Sequence, residues 1–295
     1  MLMMLALACT TAEDSADGDD VTHDGVDDEG LRTLDSCAES FAADVPAFYS
    51  TYFRCIDISM DGDEVVLGTN DLPPHKSSYY PESDPNWEAW DDRGGEYTQN
   101  PNSIATQGFV IRIPAAPVAK GITITDALVD LTMMTSDEEY SAGTIGVGLD
   151  GVSLYNATAG PGDDIRDEKY GFDMWEAHPS PDSAYHHHSP NPGALAVLVA
   201  AGFATTSVPG TAEVELFGIN CDGTVVLGCT ELDGSDVAAG ELDAQGGHLG
   251  DLRDADGTTH FEGRYHTHMC AAIDVDAFTP EIQYYDSCEV AGAAP

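Results

Sequence analysis

Beyond residue 56 this chain never sustains a long apolar run. Short segments rich in Val and Ile alternate instead with Gly, Pro, Asn and Asp. Runs of that length between turn formers read as strands, and they are placed at 64–69, 108–113, 122–133, 143–155, 212–219 and 224–227. One helix is expected at about 192–201, where Pro opens an Ala/Leu/Val body and Gly202 follows its end. Residues 37–56 read as a short helical or irregular lead-in. Many strands, one or two short helices and long loops predict a mainly β fold, a β-sandwich or distorted barrel. The long loop 76–99 carries Tyr79, Tyr80, Trp87, Trp90 and Tyr97, aromatics that would staple it to the body.

Two segments of this β-rich body repeat a pattern: Tyr185-His186-His187-His188 and Tyr265-His266-Thr267-His268. On an extended strand, residues two apart share a face, so each segment offers a pair of imidazoles on one side. Imidazole is a ligand for zinc, copper, iron and nickel. The spacing therefore predicts that His186, His188, His266 and His268 converge on one transition-metal ion. His178 and His75 are the next candidates to complete or shield it. His187 should point to the opposite face, and Tyr185 and Tyr265 should pack beneath the site. Asp173, Glu176, Asp182, Asp243, Asp251, Asp256 and Glu262 stand near enough in sequence to orient the rings. No repeat of twenty to fifty residues is present, and the flanks of the two His-x-His copies are too unlike to claim a duplication.

Other spaced elements accompany the pairs. They include Asn70-Asp71-Leu72-Pro73-Pro74-His75, Asn100-Pro101-Asn102, Gly148-Leu149-Asp150-Gly151, Ala177-His178-Pro179 and Asn220-Cys221-Asp222-Gly223. In that order, over roughly residues 65–290, the chain resembles the YHYH-domain family, a group of mostly exported proteins. His187 stands where the family motif has Tyr, and Thr267 separates the second pair, but the flanking histidines remain. The resemblance implies a shared fold and a histidine site; it does not supply a reaction.

Composition narrows the partners. Ten Lys plus Arg against fifty-three Asp plus Glu give a formal net charge of −43. Such a surface repels nucleic acid and anionic lipid and attracts cations, so no nucleic-acid partner is expected. The start, Met1-Leu2-Met3-Met4-Leu5-Ala6-Leu7-Ala8-Cys9, resembles the end of a bacterial lipoprotein signal with Cys9 as the lipidated residue. The acidic stretch after it has almost no large apolar residues and reads as a disordered tether. The expected organisation is a signal over 1–9, a tether over 10–36 and a single domain over 37–295. The protein would then be exported and anchored to the cell envelope through lipid only.

Export makes disulfides the natural reading of Cys37, Cys55, Cys221, Cys229, Cys270 and Cys288. Pairing of neighbours, 37–55, 221–229 and 270–288, is the simplest of the alternatives. No H-E-x-x-H, G-x-S-x-G or phosphate-loop motif occurs, and the Asp254-Ala255-Asp256-Gly257 turn lacks the EF-hand register. Three functions stay open. The first is a lipoprotein that binds or delivers Cu or Zn through paired histidines. The second is a metal-dependent hydrolase or oxidoreductase using the same site with an open position. The third is an adhesion or matrix module stabilised by Ca2+.

Overall fold

The computed structural model describes residues 30–129, 137–160, 164–237, 240, 242–272, 274 and 276–292. Cys9 and the proposed signal lie outside these residues, as does the tether up to residue 29. Residues 30–36 lie against the body: Arg32 donates to Leu72 O and Asn70 Oδ1, and its main-chain N–H donates to Asn86 Oδ1.

The expected β architecture is present as two mixed sheets. The smaller has the order β1 (Ser40–Phe41), β2 (Asp57–Asp61), β3 (Glu64–Thr69), β4 (Phe109–Pro114), β13 (Glu289–Ala291). The larger runs β11 (Gly247–Arg253), β12 (Thr259–His268), β10 (Val225–Leu227), β9 (Leu216–Asn220), β5 (Thr144–Gly148), β6 (Ser153–Tyr155), β8 (Tyr185–His187), β7 (Ala177–Pro179). Neither sheet is a closed barrel. Alternation along β3 and β4 buries Val65, Leu67, Ile111 and Ile113. These residues share one apolar core with Ile145, Val147, Leu154, Phe217 and Ile219 of the larger sheet.

Helix α1 (Ala47–Tyr52) falls within the lead-in, the short α2 (Ile165–Glu168) precedes β7, and α3 (Pro192–Ala201) has the predicted bounds. Asn191 Oδ1 caps α3 by accepting from Ala194 N, and Gly202 ends it at φ 82°. The strand expected at 122–133 does not form over 122–129, which are loop and turn; 130–133 lie outside the described residues. The run 143–155 is two strands, because Asp150-Gly151 makes a tight turn within it. The long loop is held as expected, with Tyr79, Tyr80, Trp87 and Trp90 in one apolar cluster. Among the described residues no helix is long and apolar enough to cross a membrane.

The larger sheet is built twice. β5 and β6 form a hairpin; β7 and β8 form a second; β8 then lies parallel to β6. β9, β10, β11 and β12 repeat this arrangement, with β12 parallel to β10. The halves meet where β5 and β9 run antiparallel, Val147 opposite Ile219. Gly146 and Gly218 take equivalent places at this junction. A Cβ on Gly146 would lie 2.5 Å from Ile219 O, and one on Gly218 would lie 2.2 Å from Val147 O. Larger residues there would push the halves apart.

The disulfides follow this geometry. Cys37–Cys55 forms as expected, but the other bridges are Cys221–Cys288 and Cys229–Cys270. Parallel pairing of β10 with β12 brings the residues just past their ends, Cys229 and Cys270, together. Cys221 follows β9 and Cys288 precedes β13, so their bond links the two sheets.

Candidate metal centres

One row of cross-strand neighbours runs across the whole larger sheet: His178, His186, Ser153, Val147, Ile219, Val225, His266, His248. Its middle is apolar core and each end is a histidine pair. Five strand spacings separate His186 from His266, about 24 Å at ~4.8 Å each. The four predicted ligands therefore do not surround one ion. Period-two spacing put each pair on one face, as expected, but the doubled sheet carries the pairs to opposite ends.

At the first end His178, His186 and His188 are all buried. One ring nitrogen from each lies within 4.8 Å of the others. The Nδ1–H of His186 donates to Ala184 O at 3.0 Å, and that of His188 to Asn156 O at 2.7 Å. Each bond fixes the tautomer and leaves Nε2 with its lone pair. His178 has Nδ1 3.2 Å from the Asn100 amide, and its Nε2 is buried with no hydrogen-bond partner, 3.5 Å from Glu168 Oε1. Asn100 Oδ1 accepts from Asn102 N at 2.9 Å and its Nδ2 also donates to Pro179 O at 3.1 Å, so the amide turns its N–H side toward His178 Nδ1, and His178 is the one ring of the three whose Nδ1 is not tied to a carbonyl. Burial brings His178 down to about 3 and His188 to about 4, and holds His186 well below the imidazole range. Neutral imidazoles with an available lone pair are what a metal requires.

The second end holds His248, His266 and His268, with Glu231 among them. Glu231 Oε1 is 3.1 Å from His248 Nε2 and 3.7 Å from His268 Nε2, and Oε2 is 3.2 Å from His266 Nε2. His266 Nδ1–H donates to Arg264 O and His268 Nδ1–H to Gly228 O, both at 3.0 Å. These bonds repeat those of His186 and His188, residue for residue. Burial brings His268 down to about 4. Burial alone would raise the Glu231 carboxyl, but its contacts with His266, His268 and His248 hold it below the usual carboxylate range.

The repetition extends beneath the rings. Tyr185 donates to Asp173 Oδ2 and Tyr265 to Asp243 Oδ2, each at 2.7 Å. Asp173 N donates to Ala177 O and Asp243 N to Gly247 O, each at 2.9 Å. The tyrosines thus lie under the centres, as the sequence suggested. Their aspartates brace the turns entering β7 and β11; among the described contacts, backbone carbonyls orient the His-x-His rings.

Other expected ligands lie elsewhere. His75 joins neither group: it stacks on Trp175 at 3.9 Å and its Nδ1–H donates to Lys76 O. His187 faces away, as expected, with Nδ1–H donating to Glu176 O and Nε2 3.8 Å from Asp150. Met269, next to His268, packs in the apolar core. The acidic turn at 254–257 is the connection between β11 and β12. Spacing did not reveal His248, Glu231 or Glu168 as site residues. The signal for His248 is its place opposite His266 on β11, which matches His178 opposite His186.

The first centre opens into a cavity of about 800 Å³ that His178, His186 and His188 help to line. At the second centre, among the described residues, His268 lines a cavity of about 260 Å³. A family model described as YHYH protein matches residues 112–248. That span is narrower than 65–290; it holds the first centre entire and ends at His248 of the second. No curated protein and no solved structure matches the chain.

Proposed function

We propose that this chain, a YHYH domain over residues 112–248, binds two transition-metal ions, one at each end of its larger sheet. The carrying observation is the repeated donor geometry: three clustered imidazoles at each end, with Nδ1–H of the His-x-His pair donated to main-chain carbonyls. Nitrogen-rich donor sets favour Zn or Cu(II) over Ca2+, which needs six to eight oxygens. Glu231 gives the second centre a fourth donor and the makings of a closed structural site. The whole reading is a metal-binding protein of the cell envelope, exported and anchored through Cys9. Three disulfides support the export part.

The test is metal content of untagged protein that has never met a metal column. The parent should hold two equivalents of Zn or Cu. The double variant His186→Ala with His188→Ala should hold one, and so should His266→Ala with His268→Ala. Loss of all metal from either variant would mean a shared ion, and no bound metal in the parent would sink the proposal. Cys9→Ala should move the protein from the membrane fraction to the soluble one in a bacterial host; an unchanged distribution removes the anchor.

A further inference from the structure

The two centres share a ligand pattern but differ in what surrounds it. At the second, Glu231 reaches all three histidines within 3.1–3.7 Å. At the first, among the described residues, no carboxylate oxygen joins the three imidazoles in one close group; Glu168 lies 3.5 Å from His178. The space a fourth ligand would take faces the large cavity. Zinc and copper sites with three protein ligands keep a position for an exogenous donor.

The cavity walls define that donor. Glu96, Asp167 and Glu168 line it, and among the described residues no Lys or Arg does. An anionic ligand would face this carboxylate field, whereas an uncharged one meets no such barrier. Asn102 and Thr158 add polar groups to the wall, and Tyr155 presents a ring stacked on His186 at 3.6 Å. A space of about 800 Å³ suits a small organic molecule of ordinary ligand size.

We infer that the first centre, on the reading that it holds a metal, is a ligand-accepting site: its open position takes an uncharged nitrogen- or oxygen-donor small molecule from the cavity, while Glu231 closes the second centre.

Imidazole, a neutral nitrogen donor, and formate, a small anion, are the probes. They are titrated into Cu(II)-loaded protein while the visible d–d band and the EPR spectrum are followed. The His266→Ala/His268→Ala variant isolates the first centre and should show a saturable shift with imidazole. The His186→Ala/His188→Ala variant isolates the second and should show none over the same range. Gly160→Trp, at a cavity-lining position with open space around its Cα, should weaken imidazole at least tenfold without lowering copper content. The parent loaded with two equivalents should show the shift on half of its copper signal, a check that does not depend on either double variant folding. Equal responses of both centres, or none at the first with copper bound, would overturn the inference. Tighter binding of formate than imidazole would overturn the assignment of an uncharged ligand. Absence of copper from both centres would instead refute the metal reading itself.

Discussion

Replacing Tyr185 by Phe removes a single oxygen and tests how the first centre is braced. Tyr185 is fully buried, and its hydroxyl donates to Asp173 Oδ2 at 2.7 Å. Asp173 is itself 5% exposed, so water cannot replace the lost donor. Its Oδ1 accepts from Trp175 N at 2.9 Å, and Oδ2 also accepts from Ser77 Oγ. Burial pushes the Asp173 carboxyl up, and the donors from Ser77, Tyr185 and Trp175 pull it back. A hydrogen bond to a charged, buried acceptor is worth about 1.5–3 kcal/mol. Tyr185→Phe should therefore destabilise by about 2–3 kcal/mol, or roughly 4–10 °C in Tm for a chain of this size.

Tyr265→Phe is the internal control. Asp243 is only half-buried, and its Oδ1 accepts from Gln245 N at 3.1 Å and Gly247 N at 2.9 Å. Its loss should cost about 1 kcal/mol. The assay is thermal and urea unfolding of chelated protein with disulfides intact. The Tyr185→Phe penalty should grow with pH. Losing a donor raises the folded pKa of Asp173, so the charge-dependent part of the penalty is absent while the carboxyl is protonated in both states and complete once the folded carboxyl ionises, and the loss of the neutral hydrogen bond remains at low pH. Adding Asp173→Asn to Tyr185→Phe should be less than additive, since the unpartnered charge is then gone. A Tyr185→Phe cost below about 0.5 kcal/mol, or a larger cost for Tyr265→Phe, would refute the bracing argument.

Three further outcomes are expected. Non-reducing peptide mapping should recover Cys221 joined to Cys288 and Cys229 joined to Cys270; a 221–229 fragment would contradict the sheet-to-sheet link. Replacing Cys221 and Cys288 together by Ser should cost about 4 kcal/mol, the chain-entropy value for a separation of 67 residues. Burial brings His75 down to about 4, with Asp150 raising it and His187 lowering it further. Its stacked neighbour Trp175 and edge neighbour Tyr185 add no positive charge. A depressed folded pKa gives stability that is present above about 6.5 and lost as pH falls toward 4, up to about 3 kcal/mol. His75→Gln should flatten urea stability between pH 7 and 4.5 by one proton relative to the parent, and an unchanged slope would refute the assignment.

The legible parts of this fold are those that local chemistry decides. Helix α3 was visible because Pro192 and Gly202 each suit a terminus without help from the rest of the chain; the Asn191 cap came from the structure. β3 was visible because one of its faces is core and the other is not. β7 is three residues long and buried throughout, so it offered no alternation to read. Nearness in sequence found Cys37–Cys55 but missed the other two bridges for a related reason: it ranks loops by closure entropy, but parallel pairing of β10 with β12 and the contact between sheets decide which thiols meet.

The site divides along the same line. Period two fixes which side chains share a face, and it correctly set His187 apart from His186 and His188. It carries nothing about which strands become neighbours. Two like motifs suggested one shared ion because convergence was the simplest cause of likeness. Repetition is the other cause, and the sheet shows it: Tyr185 and Tyr265, Asp173 and Asp243, His178 and His248 hold matching places although their flanks differ. The matched positions are those that build the hairpins and aim the rings, while the loops between them are free to differ. Those loops supply Glu231 at one end and the walls of a large cavity at the other. Two copies of one histidine frame thus acquire different surroundings from the segments in which local sequence similarity is weakest.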